Sequence, residues 1–132
     1  MNAQTKSSFK ERHTLEERIK LYQTKQLAYP SKILIILEQF IDSSSTSQLQ
    51  QQHIIKRCAA DPEQLMVTFE GDISLLFKKK IPKAQHISLF FFINNVLPQK
   101  DQTMGQLQKK MQDQEDGFLY IQVKSLETLG SL

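Results

Sequence analysis

The chain of 132 residues has a single cysteine, Cys58, and no apolar run longer than a few residues. One cysteine excludes an internal disulfide and fits a reducing compartment. Read from composition, Cys58 is a small buried or half-buried thiol rather than a nucleophile. The histidines His13, His53 and His86 lie far apart and match no metal-ligand spacing. Ile33 to Leu37 and Leu89 to Ile93 are the longest apolar stretches, and crossing a bilayer takes about 20 residues. The opening MNAQTKSSFKERH has no apolar centre and is not a secretory signal. Any attachment to a membrane must therefore use something other than a spanning helix. Seventeen basic against 14 acidic residues leave a net charge of +3. That is a mild bias toward acidic partners and too weak for a nucleic-acid binder. No nucleophile–base pair and no metal cluster assembles, so an enzyme is disfavoured and no cofactor is expected. No internal repeat is visible.

What is present is the signature of one folded domain. Hydrophobic residues make up 39% and charged residues 23%, ordinary values for a globular protein. Ser8-Phe9-Lys10-Glu11 and Thr14-Leu15-Glu16-Glu17 read as capping boxes. They predict a short helical turn and then a helix to about Leu27, with Leu15, Ile19 and Tyr22 on one apolar face. Tyr29-Pro30 ends it. Lys32 to Phe40 is apolar on both parities, as in a strand buried on both faces. Ser43 to Ser47 is a polar linker, and Gln51 to Lys56 is a weaker strand. Ala59 to Gln64 is a turn or a helix start. A helix is expected over Glu70 to Lys80, with Ile73, Leu76, Phe77 and Ile81 on one side and Gly71 weakening its first turn. Leu89 to Ile93 reads as a second fully buried strand, with Phe90-Phe91-Phe92 mostly core. Asn94-Asn95 is a turn signal. Thr103-Met104-Gly105-Gln106 is a third capping box, opening a helix that turns Met104, Leu107 and Met111 inward. Asp116-Gly117 leads into the last strand, Phe118 to Val123. Helices on a small mixed sheet give an α+β roll. Placing the two most apolar strands side by side at the centre makes a ubiquitin-like β-grasp the natural topology.

Several stretches are also familiar as residues. Phe9-Lys10-Glu11-Arg12-His13-Thr14-Leu15-Glu16-Glu17-Arg18, Tyr29-Pro30-Ser31-Lys32-Ile33 and Phe90-Phe91-Phe92-Ile93-Asn94-Asn95-Val96-Leu97-Pro98 carry one resemblance. Thr103 to Leu107 and Glu115 to Ile121 extend it. In this order they resemble the autophagy ubiquitin-like modifiers, the family of GABARAP and microtubule-associated protein light chain 3. The resemblance implies a ubiquitin-like β-grasp with a four-stranded mixed sheet and two extra N-terminal helices. It divides the chain into a flexible start over residues 1–7, a helical subdomain over 8–28, the ubiquitin-like domain over 29–126 and a tail over 127–132.

The resemblance also implies the function. In the family a cysteine protease cuts after a C-terminal glycine, here Gly130 at the Gly130–Ser131 bond. Activating and conjugating enzymes of the ubiquitin-like pathway then join the glycine to phosphatidylethanolamine. Glycine suits that role, since no Cβ crowds its carbonyl when an amine or thiolate attacks. Leu129 departs from the pattern, where the family usually has an aromatic residue. The expected location is cytoplasmic, and the autophagosome membrane once lipidated.

Autophagy receptors carrying short aromatic-x-x-aliphatic motifs are the implied partners, added as an edge strand. Tubulin is a further implied partner, and nucleic acid is not. The aromatic residue would meet Leu21, Lys25, Leu34, Ile55 and Phe118. Leu21 replaces a common Glu, and Lys25 replaces a common Ile. Lys32 matches a basic residue that meets acidic groups. The aliphatic residue would meet Ile54, Ile73, Leu76 and Phe77. The alternative is an unconjugated or specialised paralogue that acts only as a peptide-binding adaptor.

Overall fold

The computed structural model describes residues 8–42, 51–80 and 88–125. The predicted start over 1–7, the linker over 43–47 and the tail with Leu129 and Gly130 lie outside the described residues, as do Ile81 and His86. In chain order the elements are α1 (Phe9–Arg12), α2 (Leu15–Ala28), β1 (Ile33–Asp42), β2 (Gln51–Ala60), α3 (Met66–Lys80), β3 (Leu89–Phe92), α4 (Met104–Met111) and β4 (Leu119–Ser125). The four strands form one sheet in the order β2-β1-β4-β3. β1 is antiparallel to β2 and parallel to β4, and β3 is antiparallel to β4. This is the expected ubiquitin-like α+β fold with a mixed sheet and two extra helices at its start.

All three capping boxes form. Ser8, Thr14 and Thr103 each accept the backbone N–H of the residue three places on. Glu11, Glu17 and Gln106 return the bond to the cap residue's own N–H. Each box satisfies two N–H groups that a helix start otherwise leaves open.

β1 divides the interior. Ile33, Ile35 and Leu37 face the larger core, which holds Met66, Phe69 and Ile73 of α3, Met104 and Leu107 of α4, and Leu119, Ile121 and Val123 of β4. Leu34 and Ile36 face the opposite side, where Phe9 and Phe118 complete a smaller core. Leu21, Tyr22, Ile55 and Tyr120 pack against that second cluster. A strand flanked by helices on both faces has to be apolar on both parities, and β1 is.

Other expectations need correction. The two most apolar strands are not paired at the centre. β4 lies beside β1, and β3 is the short outer strand. β3 is also not fully buried. Phe91 and Ile93 face the core, whereas Phe90 and Phe92 are only half-buried, and the Lys124 ammonium lies 5.3 Å from the centre of the Phe92 ring. An edge strand covered on one face buries every second residue. β2 extends to Ala60, because ten residues of β1 pair along its length. α3 begins at Met66, four residues before Glu70, so Gly71 lies past its first turn. Its first N–H groups are satisfied by another segment: Met66 N–H donates to the Gln102 carbonyl and Val67 N–H to the Lys100 carbonyl. The buried face of α3 is Met66, Phe69, Ile73 and Phe77, while Leu76 is 50% exposed. On α2 the most buried residue is Arg18, and Leu15 and Ile19 are only half-buried.

Two turns need special backbone. Asn94 and Asn95 have φ of 54° and 65° and reverse the chain between Ile93 and Val96. Asparagine tolerates that region better than most residues. Gly117 has φ of +92°, and a Cβ there would lie 2.9 Å from the Tyr22 ring. Gly117→Ala should therefore cost on the order of 2 kcal/mol from backbone strain alone. Urea unfolding of the variant checks this, with a lowered midpoint expected.

Candidate functional site

β2 is the outer strand beside β1, and among the described residues its other edge carries no strand. Such an edge presents backbone N–H and C=O groups in a row. Side chains alternate across it. Ile54, Lys56, Cys58 and Ala60 share the parity that faces α3, since Ala60 and Cys58 join the larger core. Ile55 points to the opposite face and packs on the smaller core with Leu21. Two neighbouring residues of one edge strand thus reach apolar surfaces on opposite sides of the sheet.

On the N-terminal-helix side, Leu21, Leu34, Ile55 and Phe118 come together in one cluster. Leu34 and Phe118 are 5% and 2% exposed, so they form the base of the surface rather than its rim. Leu21, Ile55 and Lys25 are half-buried and form the accessible part. Lys25 follows Leu21 by one helical turn on α2, where its aliphatic stem can lie along an apolar surface. On the other side Ile73 and Phe77 are buried, Ile54 is half-buried and Leu76 is half exposed. Lys32, expected to meet an acidic group, already pairs with the exposed carboxylate of Asp61. An incoming acid would share Lys32 with Asp61 or displace it.

Sequence reasoning passed over the residues that hold this surface in place. Arg18 Nη1 donates to Asp116 Oδ2 at 2.7 Å, and both side chains are buried. The Tyr120 hydroxyl donates to the same oxygen at 2.5 Å, and Phe118 N–H donates to Oδ1 at 2.9 Å. Burial and the neighbouring Asp116 push the Tyr120 hydroxyl well above the usual phenol range. Phe118 sits among three edge-on or tilted rings, with centroids of Tyr22 at 5.2 Å, Phe9 at 6.0 Å and Tyr120 at 6.3 Å. Such arrangements add about 1 kcal/mol each beyond area burial. The signal in the sequence was an arginine breaking the apolar face of α2 and an aspartate before Gly117-Phe118. α1 is tied by Lys10, which pairs with Asp113. Burial opposes ionisation of Asp113, yet Lys10 and the N–H groups of Asp116 and Glu115 hold its carboxyl below the usual range.

Cys58 is half-buried, and burial raises its thiol above the ordinary value despite nearby Lys56. A raised thiol is a poor nucleophile at neutral pH. Among the described residues no group of three or more His, Cys, Asp and Glu side chains is placed to hold a metal. None of the described helices is long and apolar enough to cross a membrane.

With this geometry in hand, the comparisons with known proteins decide the family. The family described as autophagy protein Atg8 ubiquitin like matches residues 16–130. The chain belongs to the Atg8 family. Among its relatives is autophagy-related protein 8D of Oryza sativa subsp. japonica, 32% identical over 122 residues, which are 92% of this chain and 96% of the rice protein. The crystal structure of Trypanosoma brucei ATG8 superposes with a TM-score of 0.66 at 21% identity, over 90% of this chain and 94% of that one. That likeness establishes the shared fold. As an Atg8 protein, this chain is a ubiquitin-like modifier of autophagy, from a family of modifiers rather than known enzymes.

The Lys10–Asp113 pair gives a pH-dependent expectation. Asp113 has a folded-state carboxyl below its unfolded value, so its contribution is present above the unfolded pKa of about 3.9 and is lost as pH falls through the lower folded value. Asp113→Asn should lower the unfolding midpoint at pH 7 and change it progressively less below about pH 4. Thermal unfolding of both proteins across pH 2.5–7 (an approximate window spanning the carboxyl values) measures this.

Proposed function

We propose that this Atg8 protein recruits partners through an extended aromatic-x-x-aliphatic peptide laid along β2, and that it is anchored to membranes through Gly130. The observation that carries the peptide reading is the pair of apolar surfaces on opposite faces of one edge strand. Backbone pairing with β2 supplies register, and alternate side chains enter the two surfaces. The aromatic residue sits over Leu21, Lys25 and Ile55, with Leu34 and Phe118 beneath. The aliphatic residue lies between Ile54 and Leu76, with Ile73 and Phe77 beneath. Lys32 attracts acidic residues flanking the motif.

Anchoring follows the family's chemistry. A cysteine protease cuts between Gly130 and Ser131. Activating and conjugating enzymes carry the new carboxylate as a thioester to the amine of phosphatidylethanolamine. The match to the family extends as far as Gly130, which supports this residue as the conjugation point. The acyl chains then bury in the bilayer and supply the anchor. The protein so attached acts at the autophagosome membrane, and its free form in the cytoplasm. Tubulin is a further partner within this reading.

Two experiments test the proposal. A peptide with an acidic-flanked aromatic-x-x-aliphatic motif is titrated by calorimetry against the wild type, Leu76→Asp and Asp61→Ala. Leu76→Asp should weaken binding about tenfold or more, and Asp61→Ala should tighten it several-fold by freeing Lys32. Equal affinity for all three proteins would remove the peptide site. For the anchor, intact mass from cells should show loss of Ser131-Leu132, and Gly130→Ala should abolish membrane association. A full-length mass with unchanged membrane binding in Gly130→Ala would leave only the adaptor role.

A further inference from the structure

A second depression, of about 440 Å³, shares none of the residues of the β2 peptide surface. It lies among the Asn94-Asn95 turn, residues 111–114, the start of α1 and the centre of the sheet. Glu38 of β1 lines it and is only 3% exposed. Its Oε2 accepts the Phe9 N–H at 2.8 Å, and among the described residues that is its one partner. A buried carboxylate is costly unless an opposite charge or several donors satisfy it, and its two oxygens offer about four acceptor positions. The cation nearest to hand, Lys10, is committed to Asp113. The remaining lining is rich in carboxamides, from Asn94, Asn95, Gln112 and Gln122, whose oxygens accept further N–H donors. Met111 adds apolar surface suited to a methylene stem. The volume is that of a site for a small group, within the range of roughly 300–1,000 Å³.

We propose that this cleft binds a guanidinium group on an alkyl stem, with Glu38 as its counter-ion. The group carries five N–H donors in one plane. Two donors reach the Glu38 carboxylate, and the others reach the surrounding carboxamide oxygens. A free guanidine or the arginine side chain of a partner supplies the same chemistry. The site is independent of the peptide edge and of conjugation at Gly130.

The test uses the whole chain and agmatine, followed by two-dimensional NMR of backbone and side-chain amides. Saturable shifts are expected at Asn94, Asn95 and Gln122. The urea analogue of agmatine, equal in shape but without the guanidinium charge, keeps the same terminal ammonium and should bind about tenfold more weakly or not at all. Glu38→Gln should lose binding to the same degree. Because that change also weakens the bond to Phe9, a second variant is needed. Gln122 pairs directly with Glu38 across β4, so Gln122→Lys places a cation beside the carboxylate. It should raise the melting temperature and abolish agmatine binding. A short arginine-containing peptide is titrated in parallel. An affinity at least about tenfold above that of agmatine assigns the site to a partner's arginine, and parity assigns it to a free guanidine. Equal binding of the urea analogue, or unchanged agmatine binding by Gln122→Lys, would overturn the proposal.

Discussion

Asp116 sits where the N-terminal helices meet the sheet, and its carboxylate joins three parts of the chain. Arg18 comes from α2, the Tyr120 hydroxyl from β4, and the Phe118 N–H from the turn that leads into β4. Both charged side chains are buried. A buried pair of this kind adds little net stability over an apolar replacement, but losing one partner costs about 3–5 kcal/mol. Its consequence here is positional. It fixes which face of α2 turns toward the sheet, and so brings Leu21 and Tyr22 onto Leu34, Ile36 and Phe118. Without that docking, the outer side of β1 would lie open beside Ile55. The proposed peptide surface therefore depends on an ion pair that a peptide need never touch.

The two faces of the sheet are built differently. The α3 side is a conventional core, with aliphatic residues of β1 and β4 against Met66, Phe69 and Ile73. The other side is half aromatic, packed around Phe118 and braced by polar links from Arg18, Lys10 and the Phe9 N–H. β2 lies at the boundary between them with one edge unpaired by any described strand. An unpaired edge invites association. An Atg8 protein turns that liability to use if the visiting strand is read by side chains on both faces. In the proposed peptide reading, Leu21 and Lys25 line the N-terminal-helix side of that surface, and these departures set its preference.

Much of this was legible in the sequence, and the parts that were not have a common cause. The three capping boxes were readable because their information lies within four residues. β1 was readable because burial on both faces makes every position from Ile33 to Leu37 apolar. The start of α3 was not, because its first N–H groups are met by carbonyls of Lys100 and Gln102 and no capping side chain marks the place. The position of β3 was misread because Phe90 and Phe92 look like core but stand half-buried at the rim, Phe92 beneath Lys124. β2 was read only as far as Lys56 because Arg57, Cys58 and Ala59 have little strand preference of their own, and its further length comes from pairing with β1. Arg18 was hidden for the same reason: its partner Asp116 is 98 residues away. Of the candidate site, the apolar residues could be named from the sequence. The pairing of Lys32 with Asp61, and the burial of Leu34 and Phe118 beneath the surface, came only with the fold.

The central claim is that β2 receives an extended peptide as an added strand. Amide hydrogen exchange of the backbone from Ile54 to Ala60, with and without a saturating aromatic-x-x-aliphatic peptide, measures it most directly. The account predicts that alternate amides of β2, those pointing away from β1, slow strongly when the peptide binds. Binding of the peptide with β2 exchange unchanged, and protection gained elsewhere, would contradict it.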